Sequence, residues 1–382
     1  MRIVRIATVP FFVLHHLEGQ LRALVTAGHE VHVITSPGEG AGRIAALGVR
    51  VRLIAIARDI SPLSDLVALA RLASAIHELK PDLVHTNTPK AGLLGAIAAW
   101  LCRVPVRLHS FTGQAWAERR GVVRWLGRMA DRVIVLLNTR CYADSHSQKA
   151  FLVADGIAAE GQIRVIGAGS LGGVDLRRFD IERLRAPGSA LRARLAIAPQ
   201  SKVIVFVGRV TRDKGIVELV AAFSRPEIAR VGATLVLVGP QERQRDPLPA
   251  QTLAAIENDP AIHAVGYDPE PERYLAFADL LCLPSYREGF GNVVIEAAAL
   301  GVPCVGSRIV GLADAVVEGK TGLLVPPRDV PALARSLEIL LTDENKRTAL
   351  GAAARERARQ TFDVSVLNAA ILKEYASLAS AR

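Results

Sequence analysis

Two carboxylates bracket a glycine-containing stretch in Glu288-Gly-Phe-Gly-Asn-Val-Val-Ile-Glu296. The apolar run after Gly291 reads as a helix through Ala299, which puts Glu296 about one turn inside it. Backbone N–H groups bared by Gly289 and Gly291 at such a helix start attract an anion, a diphosphate above all. A carboxylate placed like Glu296 can accept two hydrogen bonds from vicinal hydroxyls, as on a ribose, and Glu288 can do the same for a sugar. Taken alone, either glutamate reads first as a helix cap or a salt-bridge partner.

A second cluster supplies the opposite charge. The run Val203 to Val207 leads straight into Gly208-Arg209-Val-Thr-Arg-Asp-Lys214-Gly215. Glycine lets a ligand approach the backbone, and Arg and Lys give charge-assisted bonds to phosphate oxygens. The spacing is not that of a Walker A loop, and alone it reads as an ordinary solvated turn. Set beside the glutamate pair at another strand end, it becomes one wall of a diphosphate site.

The elements that must hold these residues are short β-branched strands alternating with helical patterns. Strands are expected at Ile3 to Val9, Glu30 to Thr35, Val49 to Ile56, Asp82 to Thr86, Val104 to Phe111, Arg132 to Leu137 and Gln162 to Ile166. After a break near residues 172 to 200, where Pro187-Gly188 and Pro199 suggest a linker, a second series follows. It comprises Lys202 to Val207, Ala233 to Val238, Ile262 to Val265, Asp279 to Leu283 and Pro303 to Gly306. Continuous apolar strands separated by helices indicate parallel sheets covered on both faces. The expected fold is α/β, with two Rossmann-like doubly wound domains facing a cleft at the carboxyl ends of the strands, where ligands bind. At 382 residues the chain suits two domains of about 100–200 residues each. Their expected extents are 1–180 and 181–360, with a helix over 361–382 returning to the first; Glu344 to Ser380 reads as helix and Val317 to Gly322 as a turn.

Half of the residues are hydrophobic and 22% are charged, which excludes disorder. The cysteines are scattered, without C-x-x-C or Cys/His zinc spacing, and imply a reducing compartment and no structural metal. Met1 to Leu14 superficially resembles a leader, but His15, His16, Glu18 and Arg22 follow at once, so a first strand and helix fit better. The apolar run Ala91 to Cys102 falls short of the roughly 20 residues a membrane span needs. Net charge is +10 and most of the surplus precedes residue 181, which suggests an anionic partner or a solvated arginine surface. In Ala115 to Arg132, Trp116 and Trp125 are mixed with arginines, and on a helix Arg120, Arg124 and Arg128 share a face. Such a face suits an interfacial membrane contact or a lipid diphosphate, or else it is a solvated surface over a packed tryptophan.

Gly208-Arg209 with Lys214-Gly215, and Glu288 with Glu296, resemble the retaining glycosyltransferases of family 4, whose glycosyltransferase B fold has two Rossmann domains. Gly28-His-Glu-Val31, His85-Thr-Asn-Thr-Pro-Lys-Ala-Gly92, Ala143-Asp-Ser-His-Ser-Gln148, Gly169-Ser-Leu-Gly-Gly-Val-Asp175 and Ser285-Tyr-Arg-Glu-Gly-Phe290 extend the resemblance over nearly the whole chain. The longer phrases look most like bacterial enzymes that add a sugar to a polyprenyl-diphosphate-linked saccharide. The resemblance implies that Arg209 and Lys214 hold the donor diphosphate and neutralise the departing nucleotide, and that no metal or other cofactor is required. It implies that Glu296 binds the ribose and Glu288 the donor sugar. Gly289, Phe290, Gly291 and Asn292 would give backbone contacts, and Gly266-Tyr267 would lie by the base.

The pattern is departed from in two places. Where relatives carry a glycine-rich turn, this chain has Pro10-Phe-Phe-Val-Leu-His-His16, read as a bulky loop, with His16 a substrate contact or a helix-start histidine. Where relatives carry His-Gly, this chain has His109-Ser-Phe-Thr-Gly113, so either His109 or Thr112 takes the catalytic-site position, and His109 is the choice made here. The acceptor side would comprise His16, Lys90, Thr112, Arg120 and Arg124. The partners that the resemblance implies are a nucleotide-sugar donor, uridine diphosphate-linked by analogy, a lipid-linked acceptor and the cytoplasmic membrane face, with no nucleic acid. Rival readings are a nucleotide-sugar epimerase of the same architecture, a transferase for a soluble acceptor, and a non-catalytic anion-binding protein.

Overall fold

The computed structural model describes residues 1–242 and 246–380. The chain forms two compact units, one of Met1–Gly173 together with the segment from Val364 onward, the other of Val174–Asp363. The boundaries expected after residues 180 and 360 therefore both fall inside the second unit. Its two ends are clasped: the Val174 N–H donates to the Phe362 carbonyl at 2.8 Å, and Val174 bridges to Asp363.

The first unit holds strands β1 (Arg2–Ile6), β2 (Glu30–Thr35), β3 (Arg50–Leu53), β4 (Leu83–Asn87), β5 (Val106–Phe111), β6 (Arg140–Ala143) and β7 (Ile163–Val165). They form a parallel sheet in the order β3-β2-β1-β4-β5-β6-β7. The leader-like N-terminus is thus a central strand. Successive residues of β1 enter opposite cores: Ile3 packs with the helices Glu18–Thr26 and Val364–Ser380, whereas Val4 and Ile6 pack with Pro62–Leu79 and Pro89–Leu101. This is the period-two alternation of a sheet covered on both faces.

Two expectations fail here. Arg132 to Leu137 is not a strand but the end of the helix Gly121–Leu137, which buries Asp131, Ile134 and Val135 at helical spacing. The strand is the less apolar Arg140–Ala143 beyond it. The segment after β1 is no loop either: Pro10 occupies the first helical position, and a wide π-type turn, Val13–Leu17, leads into Glu18–Thr26.

Arg5, fully buried, has only neutral partners. It donates to Gln20 Oε1 at 2.8 Å, to the Tyr375 hydroxyl at 3.1 Å and to Asn87 Oδ1 at 2.9 Å. The Tyr375 hydroxyl also meets His85 Nδ1 at 2.5 Å, and His85 Nε2 meets Ser110 Oγ at 2.8 Å. Burial first, and the Arg5 charge second, push the His85 pKa well below its usual value, so the ring is neutral. The residue before Tyr375, Glu374, accepts from Arg140 and from the Tyr142 hydroxyl, each at 2.8 Å. The C-terminal helix is thereby part of the first unit's polar core.

The second unit's strands are β8 (Val203–Val207), β9 (Thr234–Val238), β10 (Ile262–Gly266), β11 (Leu280–Leu283), β12 (Cys304–Ser307) and β13 (Gly322–Val325). All are parallel, in the order β10-β9-β8-β11-β12-β13. The sequence reading missed β13, a short run directly after the turn it did find, where Gly319 has φ +68°. The presumed linker contains a helix, Ile181–Arg194, capped by the Asp180 carboxylate, with Pro187 inside and Gly188 against the Arg273 carbonyl. The expected terminal helix is two, Glu344–Thr361 and Val364–Ser380, one in each unit, separated where Phe362 is buried.

Removing one hydroxyl should loosen the first unit, because Tyr375 serves two buried groups. Tyr375→Phe is expected to lower the unfolding free energy by about 1–3 kcal/mol, read from urea denaturation. An unchanged denaturation midpoint would contradict this.

Candidate functional site

In the second unit β8 pairs with β11, so the loops leaving their carboxyl ends are neighbours. A tight turn, Arg212–Lys214, ends at Gly215, whose φ is +72°. A Cβ at Gly215 would lie 2.1 Å from the Pro284 carbonyl oxygen, so only glycine fits this approach. The Tyr286 N–H donates to the Asp213 carbonyl at 2.9 Å, closing the second point of contact between the loops. Two pairs of side chains follow from this zipping. Arg287 Nη2 donates to Asp213 Oδ2 at 3.2 Å, and Lys214 Nζ lies 2.5 Å from Glu288 Oε1, which also accepts from Ser285 Oγ at 2.8 Å.

Arg209 completes the cluster, donating to Asp213 Oδ2 at 3.1 Å and to Glu242 Oε2 at 3.0 Å. Burial opposes the Asp213 charge, but the Thr211 hydroxyl and the cations Arg209, Lys214 and Arg287 outweigh it and hold the pKa below the usual carboxylate value. Burial likewise opposes the Arg209 charge, and Asp213 and Glu242 overcome it. The cations expected as a solvated anion site are thus each matched to a carboxylate. Lys214 is thus already paired with Glu288.

Gly291, with φ +88°, starts the helix Asn292–Ala299. The Phe290 side chain is buried edge-on against Phe362, with ring centroids 5.2 Å apart, which leaves its backbone as the part able to meet a ligand. Glu296 lies on that helix and accepts no hydrogen bond from any described residue. Burial pushes its pKa up to about 7, with Arg178 working against the shift and Glu272 adding to it. Arg178 is itself spent on Glu272 through two parallel bonds of 2.9 and 2.8 Å. Gly266, φ +75°, ends β10, and Tyr267 beyond it is exposed. Sequence reasoning missed Asp213, Ser285, Glu242 and the Arg178–Glu272 pair. A hint lay in the alternating charges Arg212-Asp213-Lys214.

The first-unit candidates are less uniform. His109 lies within β5, 1% exposed, bonded through Nδ1 to Thr86 Oγ1 at 2.8 Å and edge-on to Phe111. Burial lowers its pKa to about 3. The structure thus makes His109 a neutral core histidine rather than a group open to a ligand. Thr112 follows the last residue of β5 and is partly exposed. His16, in the π-type turn, is half-buried beside Phe12. Lys90 is held by the Asp65 carboxylate at 2.7 and 2.9 Å and by the Asp59 carbonyl.

The arginine face is also redirected. Arg124 and Arg128 converge on Asp155 at 3.2 and 2.6 Å, and Arg132 donates to the Gly156 carbonyl. Trp116 is buried, its indole N–H on Asp131 Oδ2 at 2.7 Å, with the Arg124 guanidinium over its ring. What the helix Gly121–Leu137 exposes at its start is apolar: Val122, Val123, Trp125 and Leu126, next to exposed Arg119 and Arg120. No helix among the described residues is long and apolar enough to cross a membrane. No group of three or more His, Cys, Asp or Glu side chains able to hold a metal is found among them either.

Comparison with known proteins places this architecture. Residues 14–169 match the model of the glycosyl transferase 4-like domain, and residues 189–357 that of glycosyl transferases group 1. The crystal structure of Anabaena Alr3699/HepE in complex with UDP and glucose superposes with a TM-score of 0.80 at 22% identity, covering 99% of this chain and 100% of the other. The fold and the paired domains define a glycosyltransferase of the two-Rossmann-domain type. The capsular polysaccharide biosynthesis glycosyltransferase CapM of Staphylococcus aureus is 29% identical over 92% of this chain and 90% of its own length. A D-inositol 3-phosphate glycosyltransferase of Jonesia denitrificans is 32% identical over 74% and 69%. The chain belongs to glycosyltransferase family 4.

The Glu296 environment gives the site a pH signature. A hydroxyl-accepting carboxylate works ionised, so affinity for UDP as a probe should fall below about pH 7, by up to about tenfold per pH unit. Calorimetry on the parent and Glu296→Gln checks this, since the variant should lose that component of the profile. Identical profiles would remove Glu296 from the site.

Proposed function

We propose that this chain is a retaining, metal-independent glycosyltransferase that moves a hexose or N-acetylhexosamine from a UDP-linked donor to a lipid-linked saccharide at the cytoplasmic membrane face. The observation that carries the reading is the grouping, at adjacent strand ends, of Arg209, Lys214 and Glu288, with the carboxylate Glu296 on the helix that follows. Glu296 takes the ribose hydroxyls and Tyr267 flanks the base after Gly266. The Gly289–Asn292 backbone approaches the sugar and diphosphate.

Transfer then needs charge neutralisation where the nucleotide departs. The bond between the anomeric carbon and the phosphate oxygen breaks, the acceptor hydroxyl oxygen bonds to that carbon from the same face, and its proton passes to the leaving phosphate. Arg209 and Lys214 offset the charge that builds on that phosphate, the task a metal ion performs in other sites. As Lys214 turns to phosphate, Glu288 is released to accept from sugar hydroxyls. Thr112, at the end of β5, rather than buried His109, offers a hydroxyl to the acceptor side. Membrane contact is assigned to Val122, Val123, Trp125 and Leu126, with Arg119 and Arg120 facing anionic headgroups, because Arg124 and Arg128 are tied to Asp155.

The test is nucleotide release from a panel of nucleotide sugars, with and without extracted membrane lipids. Lipid-dependent release from a UDP-sugar is expected, with Lys214→Ala lowering kcat about 10²–10³-fold and Glu296→Ala raising the donor KM. Vesicle flotation with anionic lipids should be lost in Val122→Ser/Trp125→Ser and kept in Arg124→Ser/Arg128→Ser. Near-parental donor kinetics in both site variants would overturn the donor assignment. Full turnover on a soluble acceptor without lipid would overturn the lipid-linked one.

A further inference from the structure

Arg287 has no part in the reading so far, yet its placement is unusual. Asp213 Oδ2 accepts from Arg209 at 3.1 Å and from Arg287 at 3.2 Å, so two guanidinium groups converge on one carboxylate oxygen. Among the described residues, that single long bond is the only hydrogen bond of the Arg287 guanidinium, and the rest of its donor fork is open, with the side chain 30% exposed. Another arginine of the same unit behaves otherwise: Arg178 closes two bonds of 2.9 and 2.8 Å on Glu272. Arg209 has a carboxylate of its own in Glu242 at 3.0 Å, whereas Arg287 depends on the shared Asp213 oxygen, so a further anion would be met by Arg287.

We infer that Arg287 is a third phosphate-binding cation of the donor site, contacting the phosphate nearer the transferred sugar. Its chain neighbour Glu288 is the assigned sugar contact, and it shares the Asp213 oxygen with Arg209, an assigned diphosphate contact. A guanidinium with a free fork binds two phosphate oxygens in parallel. Asp213 is then a positioning residue that aims two arginines and keeps them from repelling each other in the empty site. The inference rests on the glycosyltransferase reading of this site.

The experiment is calorimetric binding of UDP and UMP, with the ADP/AMP and GDP/GMP pairs in parallel, to the parent, Arg287→Ala, Asp213→Asn and the double variant. Thermal unfolding confirms the fold of each. Arg287→Ala is expected to weaken the diphosphate about 10–100-fold while leaving the monophosphate within about twofold. The same loss is expected on adding Arg287→Ala to Asp213→Asn. Equal weakening of diphosphate and monophosphate, or no effect of Arg287→Ala in the Asp213→Asn background, would reduce Arg287 to a support for Asp213 and overturn the inference. Parental diphosphate affinity in Arg287→Ala would overturn it outright. Failure of the parent to bind any of the diphosphates would instead overturn the donor-site reading itself.

Discussion

The approach of Gly215 to the Pro284 carbonyl is the constraint on which the donor-side chemistry depends. β8 and β11 run side by side, but adjacency of strands does not by itself bring two loops into register. The absence of a side chain at Gly215 does, together with the bond from the Tyr286 N–H to the Asp213 carbonyl. Once the backbones are in contact, the side chains have little freedom. Asp213 must face Arg287, and Lys214 must face Glu288. The two pairs have opposite polarity, so the loop pair carries its cations without leaving them unbalanced. It is a preorganised charge arrangement waiting for a ligand to replace internal partners, and its reorganisation cost is small because phosphate offers Lys214 what Glu288 offers already.

Similar balancing appears elsewhere with different means. In the first unit a buried arginine is kept by neutral oxygens and amides, which costs desolvation but fixes the C-terminal helix against β1 and β4 through Tyr375. Arg124 and Arg128 share Asp155, which turns a basic helix face into an internal bracket and leaves apolar side chains outermost. The excess of positive charge is therefore a poor guide to where anions bind. Much of it is consumed locally, and the informative arginine is the one with an unfilled donor fork.

The doubly wound architecture was legible because fully buried parallel strands are short continuous apolar runs, and eleven of the twelve expected strands coincide with observed ones. It failed where apolar β-branched residues serve a helix, as at Arg132 to Leu137, since Val133, Ile134 and Val135 suit either element and only packing against Trp116 and Cys141 decides. Arg209, Lys214 and Glu288 stand in contiguous motifs after β8 and β11, and Glu296 on the helix that follows, so the sequence could single them out as candidates. Their pairings could not be read: Lys214 and Glu288 are 74 residues apart, and which carboxylate a cation meets depends on strand order. The choice between His109 and Thr112 shows a related limit. Three residues separate the core ring of His109 from Thr112 just past β5, and motif matching does not say which of them lies beyond the strand.

The central claim is that contact between the two loops, more than the residue types alone, makes the site. Gly215→Ala tests it against Gly232→Ala, which imposes a similar left-handed strain of about 1–2 kcal/mol at φ +68° but with nothing within 4 Å of the new Cβ. Measured by calorimetry with UDP on folded protein, Gly232→Ala should bind like the parent and Gly215→Ala should lose at least about tenfold in affinity. Parental affinity in Gly215→Ala would contradict the account.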